Sequence, residues 1–172
     1  MEATHIVTGR SFAVKILSKA QLIKQKKVKY ATVEKDALAK LAGTHPGIVK
    51  MYAAFQDETS LCESVCDCVL PLSSERCKLD FVLELASHGD LADLIRKYGS
   101  LNLSCARWYT AQIVDAILWM HSKGVAHRDM KPENVLLDTD LRVKLTDFGS
   151  AYISPDLNLC EQLKTKYSST CV

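Results

Sequence analysis

Four side chains in the last third of the sequence are of the types that phosphate chemistry uses: Asp129, Lys131, Asn134 and Asp147. Two apolar runs, 135–137 and 143–145, flank the turn-forming residues 138–140 and predict a hairpin. Such a hairpin holds Asp129 and Asp147 on either side of one cleft, with Asn134 and Lys131 between them. Two carboxylates and an amide oxygen are hard ligands of the kind Mg²⁺ takes, and the lysine is a fixed positive charge. Phosphoryl transfer needs developing charge neutralised more than it needs covalent help.

Several elements must position these groups. Residues 11–17, S-F-A-V-K-I-L, read as a strand with one lysine, Lys15. Ile6 and Val7, followed by the turn residues Thr8 and Gly9, predict a hairpin partner before it. Residues 32–42 have helical spacing, with Val33, Ala37, Leu38 and Leu41 on one face, Thr32 as N-cap and Gly43 just past the end. The segment from His45-Pro46-Gly47 to Gln56 opens as a turn and becomes a strand, with His45 a structural hydrogen-bonding residue. Another strand runs over 81–86, and a helix carrying Leu91, Leu94 and Ile95 begins after Gly89. The strongest helix is 104–123, with Ser104 as N-cap and Gly124 as stop. Ala106, Tyr109, Ile113, Ala116, Ile117 and Met120 form its inner face. Trp108, Tyr109 and Trp119 read as packing residues, and His121 as a cap or hydrogen-bonding residue.

The stretch H-R-D-M-K-P-E-N at 127–134, followed by D-F-G at 147–149, resembles the catalytic loop and magnesium motif of protein kinases. Lys131-Pro132-Glu133 is similar to the Ser/Thr type. The resemblance implies an α+β, bilobal protein kinase-like fold in truncated form: a partial β-rich small lobe and the first half of a helical large lobe. It implies ATP and Mg²⁺ as cofactors. Asp129 would accept or orient the proton of the attacking hydroxyl, and Lys131 would lie against the γ-phosphate. Asn134 and Asp147 would hold Mg²⁺. Lys15, in A-V-K-I-L, would reach the α- and β-phosphates and pair with Glu34. Arg128 would be free to meet a phosphorylated activation-loop residue. Ala13 and Leu136 would pack against the adenine, and Leu83 would guard the back of its pocket. Backbone groups of Glu84 and Ala86 would bond its edge, and Asp90 the ribose. Leu38, Met51, Phe148 and His127 would stack in a column beneath the site.

The lysine-rich run 15–30 resembles the 3-phosphoinositide-dependent kinase family of the AGC group. That likeness implies a small-lobe groove for hydrophobic-motif peptides, formed by Lys19, Leu22, Ile23, Val28, Lys35 and Gln56. Its implied partners are other AGC kinases, phosphorylated on their activation loops. It implies one division of the chain: a small lobe over 1–86 lacking the glycine-rich loop, with a cysteine-rich insertion at 62–80, and a large lobe over 87–172 ending early in an activation loop. Ser168, Ser169 and Thr170 are candidate phosphorylation sites in that loop. A complete domain of this kind takes about 250–300 residues, so an incomplete domain is expected. An inactive truncated product that docks hydrophobic motifs is the alternative function.

Composition fits a globular domain: 172 residues, 48% hydrophobic and 24% charged. A net charge of +2 gives no strong commitment to nucleic acid or a membrane surface. No apolar run approaches the roughly 20 residues of a membrane span, and the N-terminus lacks signal-peptide features. A cytoplasmic location is expected, or a nuclear or membrane-recruited one through parts outside the sequence. Cys62, Cys66, Cys68 and Cys77 lie in one short segment. A surface loop, a zinc site and a coding artefact are its three readings. Their C-x₃-C-x-C-x₈-C spacing fits no usual zinc knuckle.

Overall fold

The strand that carries Lys15 is the reference for the small sheet. β1 is Glu2–Thr4, β2 Ser11–Ser18, β3 Met51–Gln56 and β4 Lys78–Glu84. All pair antiparallel, in the order β1-β2-β4-β3. The computed structural model describes residues 1–41, 43, 45–56 and 78–155, without the side chains of Gln56 and Lys78. Most of the cysteine-rich insertion and the three candidate phosphorylation sites lie outside the described residues, as does the Gln56 side chain.

Pairing decides what the sheet presents. Lys15 stands beside Phe81, and Phe81 beside Ala54; Ala13 stands beside Leu83, and Leu83 beside Met51. Directly paired residues share a face, so the two rows line one side of the sheet. Phe81, Leu83 and Met51 are buried there.

The N-terminal hairpin is present but shifted from the expected register. Its first strand is Glu2–Thr4, and Ile6 and Val7 lie in the turn, at 99% and 87% exposure. His5 starts that turn early. Its carbonyl accepts from the Gly9 amide, its own amide donates to Arg10, and its ring Nδ1 accepts from the Thr8 amide.

Two helices follow β2: α1, Lys19–Lys24, and α2, Val28–Lys40. Ser18 caps α1 by accepting from the Gln21 amide. A positive φ of 55° at Lys26 separates the two helices. Thr32 does not cap α2, as its position before the apolar face suggested. It lies inside the helix and its hydroxyl donates to the Val28 carbonyl one turn back, a bond Ser and Thr make readily within helices. Ala37, Leu38 and Leu41 form the buried face, as their spacing predicts.

The helical part contains α3, Leu91–Tyr98, and α4, Leu103–Ser122. Asn102 caps α4, not Ser104: its side-chain oxygen accepts from the Cys105 amide at 2.9 Å. Both are good capping types, and the sequence does not rank two of them so close together. Gly124 takes a positive φ of 70° just beyond the helix, as a stop residue does. Tyr109, Ala116 and Met120 are buried, whereas Trp108 is 55% exposed and is not a packing residue among the described ones. The His121 ring makes no hydrogen bond among the described residues. His45 does: it accepts from the Gly47 amide through Nδ1 and meets Asp115 of α4 through Nε2.

Four further short strands lie among the described residues: β5 Val125–Ala126, β6 Val135–Leu137, β7 Val143–Leu145 and β8 Tyr152–Ile153. β6 and β7 form the predicted hairpin, and β5 pairs with β8. Val135, Leu137, Val143 and Leu145 are at most 2% exposed, each contributing about 1.5–3 kcal/mol of burial. Backbone bonds link this hairpin to the loop before β3: the Val49 amide donates to Leu145, and the Leu145 amide to Gly47. No described helix is long and apolar enough to cross a membrane.

Candidate functional site

The inner row of the small sheet points one cation at α2. Lys15 Nζ donates to both carboxylate oxygens of Glu34, at 2.6 and 2.8 Å. The Glu34 side chain is 5% exposed and that of Lys15 36%. Burial raises the Glu34 pKa above its ordinary value, and the pull of Lys15 only partly offsets this. Lys15 also lies 3.7 Å from Asp147 Oδ1. One ammonium therefore stands between an acid of α2 and an acid after β7.

On the other side, Asp129, Lys131 and Asn134 form one group. Lys131 Nζ donates to Asp129 Oδ2 at 2.9 Å. Asn134 Nδ2 donates to the Asp129 carbonyl and to Oδ2, at 2.8 and 3.1 Å. The Lys131 hydrogen bond, helped by that of Asn134, holds the Asp129 carboxyl below the usual carboxylate range. Lys131 is raised in return, chiefly by Asp129 and also by Asp147. Pro132 opens a single 3-10 turn, Pro132–Asn134, that presents Asn134. The Thr146 amide donates to the Asn134 carbonyl and ties this loop to the Asp147 strand.

Asp147 and Arg128 both take left-handed backbone angles, with φ of 61° and 64°. Such residues cost of order 1–3 kcal/mol each and persist only where the surroundings fix them. Phe148, wholly buried, fixes Asp147. Its ring lies 4.9 Å from that of His127, which bonds the Thr146 carbonyl through Nε2. α2 packs on the Phe148–Ser150 turn, and Leu38 and Met51 are buried with Phe148 in one core. Arg128 is not wholly free, as the sequence suggested. Its Nε and one terminal nitrogen donate to the Ser150 and Ala151 carbonyls.

The residues expected at the nucleotide come from both halves. Ala13, half-buried, and Leu83 come from the sheet; Leu136, half-buried, comes from β6 and bridges to Asp90. Ala86, half-buried, follows the end of β4. Asp90 also caps α3, accepting from the Asp93 amide at 2.7 Å, a duty the sequence reading did not give it.

Among the docking residues, Lys19 is 5% exposed and its Nζ has no hydrogen-bond partner among the described residues. Leu22, Val28 and Lys35 are half-buried, and Ile23 is 48% exposed.

The sequence reading missed Lys144. It lies in β7, is 8% exposed, and donates to Glu84 Oε1 at 2.7 Å. The signal was present: a lone lysine in an apolar strand, as at Lys15.

Two acids, a neutral amide oxygen and two lysines thus converge on one cleft, an arrangement suited to a polyphosphate and a hard cation. The protein kinase domain family model matches residues 1–169. Serine/threonine-protein kinase PKH1 of Saccharomyces cerevisiae is 53% identical over 154 residues, which is 90% of this chain and 18% of that protein. Serine/threonine-protein kinase ksg1 of Schizosaccharomyces pombe is 46% identical over 153 residues, 89% of this chain and 23% of that protein. 3-Phosphoinositide-dependent protein kinase 1 of Homo sapiens is 42% identical over 155 residues, 90% of this chain and 24% of that protein. The chain therefore spans less than a quarter of the length of each of these three relatives. With the family model matched almost end to end and the converged site in place, this chain belongs to the protein kinase domain family.

Proposed function

We propose that this chain is the catalytic core of a Ser/Thr protein kinase that transfers the γ-phosphoryl group of MgATP to hydroxyls on other AGC-group kinases. The observation that carries the reading is the placement of Lys15: two bonds to Glu34, and 3.7 Å from Asp147. A lysine so held is aimed at phosphate oxygens and is kept from wandering by a buried acid.

The donor set fits a magnesium ion. Asn134 spends its Nδ2 on Asp129, which leaves its Oδ1 as the acceptor. The Asp147 side chain is 48% exposed and open to a ligand. With two protein ligands, the remaining positions around such an ion would fall to phosphate oxygens and water. When bound, Mg²⁺ supplies charge neutralisation on the phosphate oxygens. Asp129, ionised and exposed, receives or orients the hydroxyl proton. Lys131, now paired with Asp129, lies within reach of a phosphate oxygen. Ala13, Leu83 and Leu136 pack the adenine, backbone groups of Glu84 and Ala86 bond its edge, and Asp90 bonds the ribose.

The docking part of the reading rests on Lys19, whose buried ammonium has no hydrogen-bond partner among the described residues, beside the exposed Ile23. With Leu22, Val28 and Lys35 it would line a groove for a hydrophobic peptide that carries acidic or phosphorylated residues. The test is transfer of labelled phosphate from MgATP to an activation-loop peptide, with and without a linked hydrophobic motif. Transfer that Asp147→Ala abolishes and the motif enhances supports the whole reading. Motif binding without any transfer supports the docking product instead. Neither binding nor transfer sinks both.

A further inference from the structure

Lys144 is a charged residue in a wholly buried strand, and its ion-pair partner among the described residues is Glu84. Glu84 is committed at three points. Its amide donates to the Lys50 carbonyl at 2.8 Å, its Oε2 accepts from the Lys50 amide at 3.2 Å, and its Oε1 accepts from Lys144. Glu84 ends β4, two residues before Ala86, where the chain leaves the sheet for the helical part. Lys144 pairs across the hairpin with Leu136 and stands three residues before Asp147. The ion pair therefore ties the sheet's exit to the strand that leads into Asp147, an acid of the phosphate site. The Glu84 and Lys144 side chains are 27% and 11% exposed, so water screens the pair only weakly.

We infer that Glu84 and Lys144 are positioning residues for the nucleotide: their ion pair fixes the Glu84 and Ala86 backbone groups against the large-lobe hairpin, and so sets the purine edge of the pocket. This rests on the nucleotide reading above. Among the described residues, the carboxylate bonds Lys50 and Lys144, so its effect on the ligand is exerted through the backbone. Its removal would let the end of β4 shift relative to Leu136. Purine binding would weaken, whereas phosphate binding, held by Lys15 and Lys131, would not.

The experiment is titration calorimetry of the chain with adenosine, with MgATP and with magnesium tripolyphosphate. The variants are Glu84→Gln, the paired neutral change Glu84→Gln with Lys144→Met, and the swap Glu84→Lys with Lys144→Glu. Thermal melting accompanies each as a control for folding. Glu84→Gln should weaken adenosine and MgATP by roughly three- to tenfold, the size of one hydrogen bond lost, with tripolyphosphate unchanged. The swap should recover part of the adenosine affinity, because it restores the ion pair but a lysine at 84 cannot accept from the Lys50 amide. The paired neutral variant, which leaves no buried charge unpaired, should stay folded and still bind adenosine weakly. Folded variants with unchanged adenosine affinity overturn the inference and leave the nucleotide reading standing. Equal weakening of all three ligands overturns it too, because that is the mark of a general structural effect. An unsubstituted chain that binds neither adenosine nor MgATP overturns the nucleotide reading and this inference together.

Discussion

Glu34→Gln separates what Glu34 does for the fold from what it does for Lys15. Glutamine keeps the volume and one oxygen acceptor but removes the charge. Burial raises the Glu34 pKa by more than Lys15 lowers it. The cost of burying the ion thus largely cancels its attraction, and the substitution should change stability by no more than about 1 kcal/mol. For a chain of this length that is about 2–4 °C in Tm. Ligand binding should respond more strongly. Once Glu34 is neutral, the remaining carboxylate near Lys15 is Asp147, at 3.7 Å. Lys15 would move towards it and away from the phosphates. A charge-assisted hydrogen bond is worth about 1.5–3 kcal/mol. Since the Lys15 side chain is 36% exposed, solvent screening puts the effect at the lower end. The expected loss is about tenfold in MgATP affinity, read by titration calorimetry beside a thermal melt. MgATP affinity within twofold of the unsubstituted chain would refute the argument. So would a Tm fall of more than about 10 °C, which would make Glu34 chiefly a structural residue.

Asp129→Asn should lower single-turnover phosphate transfer by about 10²–10⁴-fold while leaving the melting curve nearly in place, because the carboxylate is solvent-facing. Asn102→Ala should cost about 1 kcal/mol, and Ser104→Ala less than about 0.5 kcal/mol; a reversed order in denaturant titration would contradict the capping geometry. Gly47→Ala should destabilise by about 1–3 kcal/mol, since a Cβ there would lie 3.1 Å from Ala116 Cβ and 3.2 Å from His45 Nδ1; unchanged urea unfolding would count against that packing. Acidification should affect the two acids in order. Glu34, raised, takes up its proton above the ordinary 4.5, whereas Asp129, lowered, stays ionised to below 3.8. Above 4.5 the Glu34 contribution to stability falls as pH rises through its raised pKa. The Asp129 contribution is complete above 3.8 and is lost as pH falls through its lowered pKa. MgATP affinity should therefore weaken on acidification before helical circular dichroism is lost, and simultaneous loss of both would argue against it.

Most of the site was legible because its residues are close together in sequence or lie on strongly patterned elements. Asp129, Lys131, Asn134 and Asp147 belong to one hairpin and its flanks, and the hairpin has four fully apolar inward positions. Lys15 was legible as the one charge in an apolar strand. The structure adds that Lys144 is a second such lysine, whose partner Glu84 lies 60 residues away. Pattern gives the burial of Lys144 but not the acid that satisfies it, because that depends on how the sheet meets the hairpin. Element ends were less legible. Thr32 and Ser104 are sound capping types, but α2 continues back over Thr32 to Val28 and Asn102 takes the α4 cap first. The turn at His5 was hidden because a histidine ring supplied the acceptor usually given by Asn, Asp or Ser.

The pairing of charges in the cleft bears on how ligand affinity arises. Lys15 is held by Glu34 and lies near Asp147, and Lys131 is held by Asp129. Neither cation is unpaired, and three carboxylates face two lysines, so the cleft holds no surplus positive charge. A polyphosphate must then be exchanged for existing ion pairs, and its net gain is smaller than two lysines would suggest. The exchange is asymmetric. Glu34 is buried and can keep Lys15 through one ligand-binding cycle after another, so Lys15 turns little. Lys131 and Asp129 are exposed, and their pair can open at small cost. Opening it frees both groups at once: the lysine for a phosphate oxygen and the carboxylate for a hydroxyl proton. On this reasoning Lys131→Met should weaken MgATP only slightly, because the lost phosphate contact is matched by a pair that need not be broken. It should slow transfer far more, because its cation then no longer neutralises the charge that develops on the transferring phosphoryl group. Equal losses in affinity and rate would show that Lys131 serves the bound nucleotide alone.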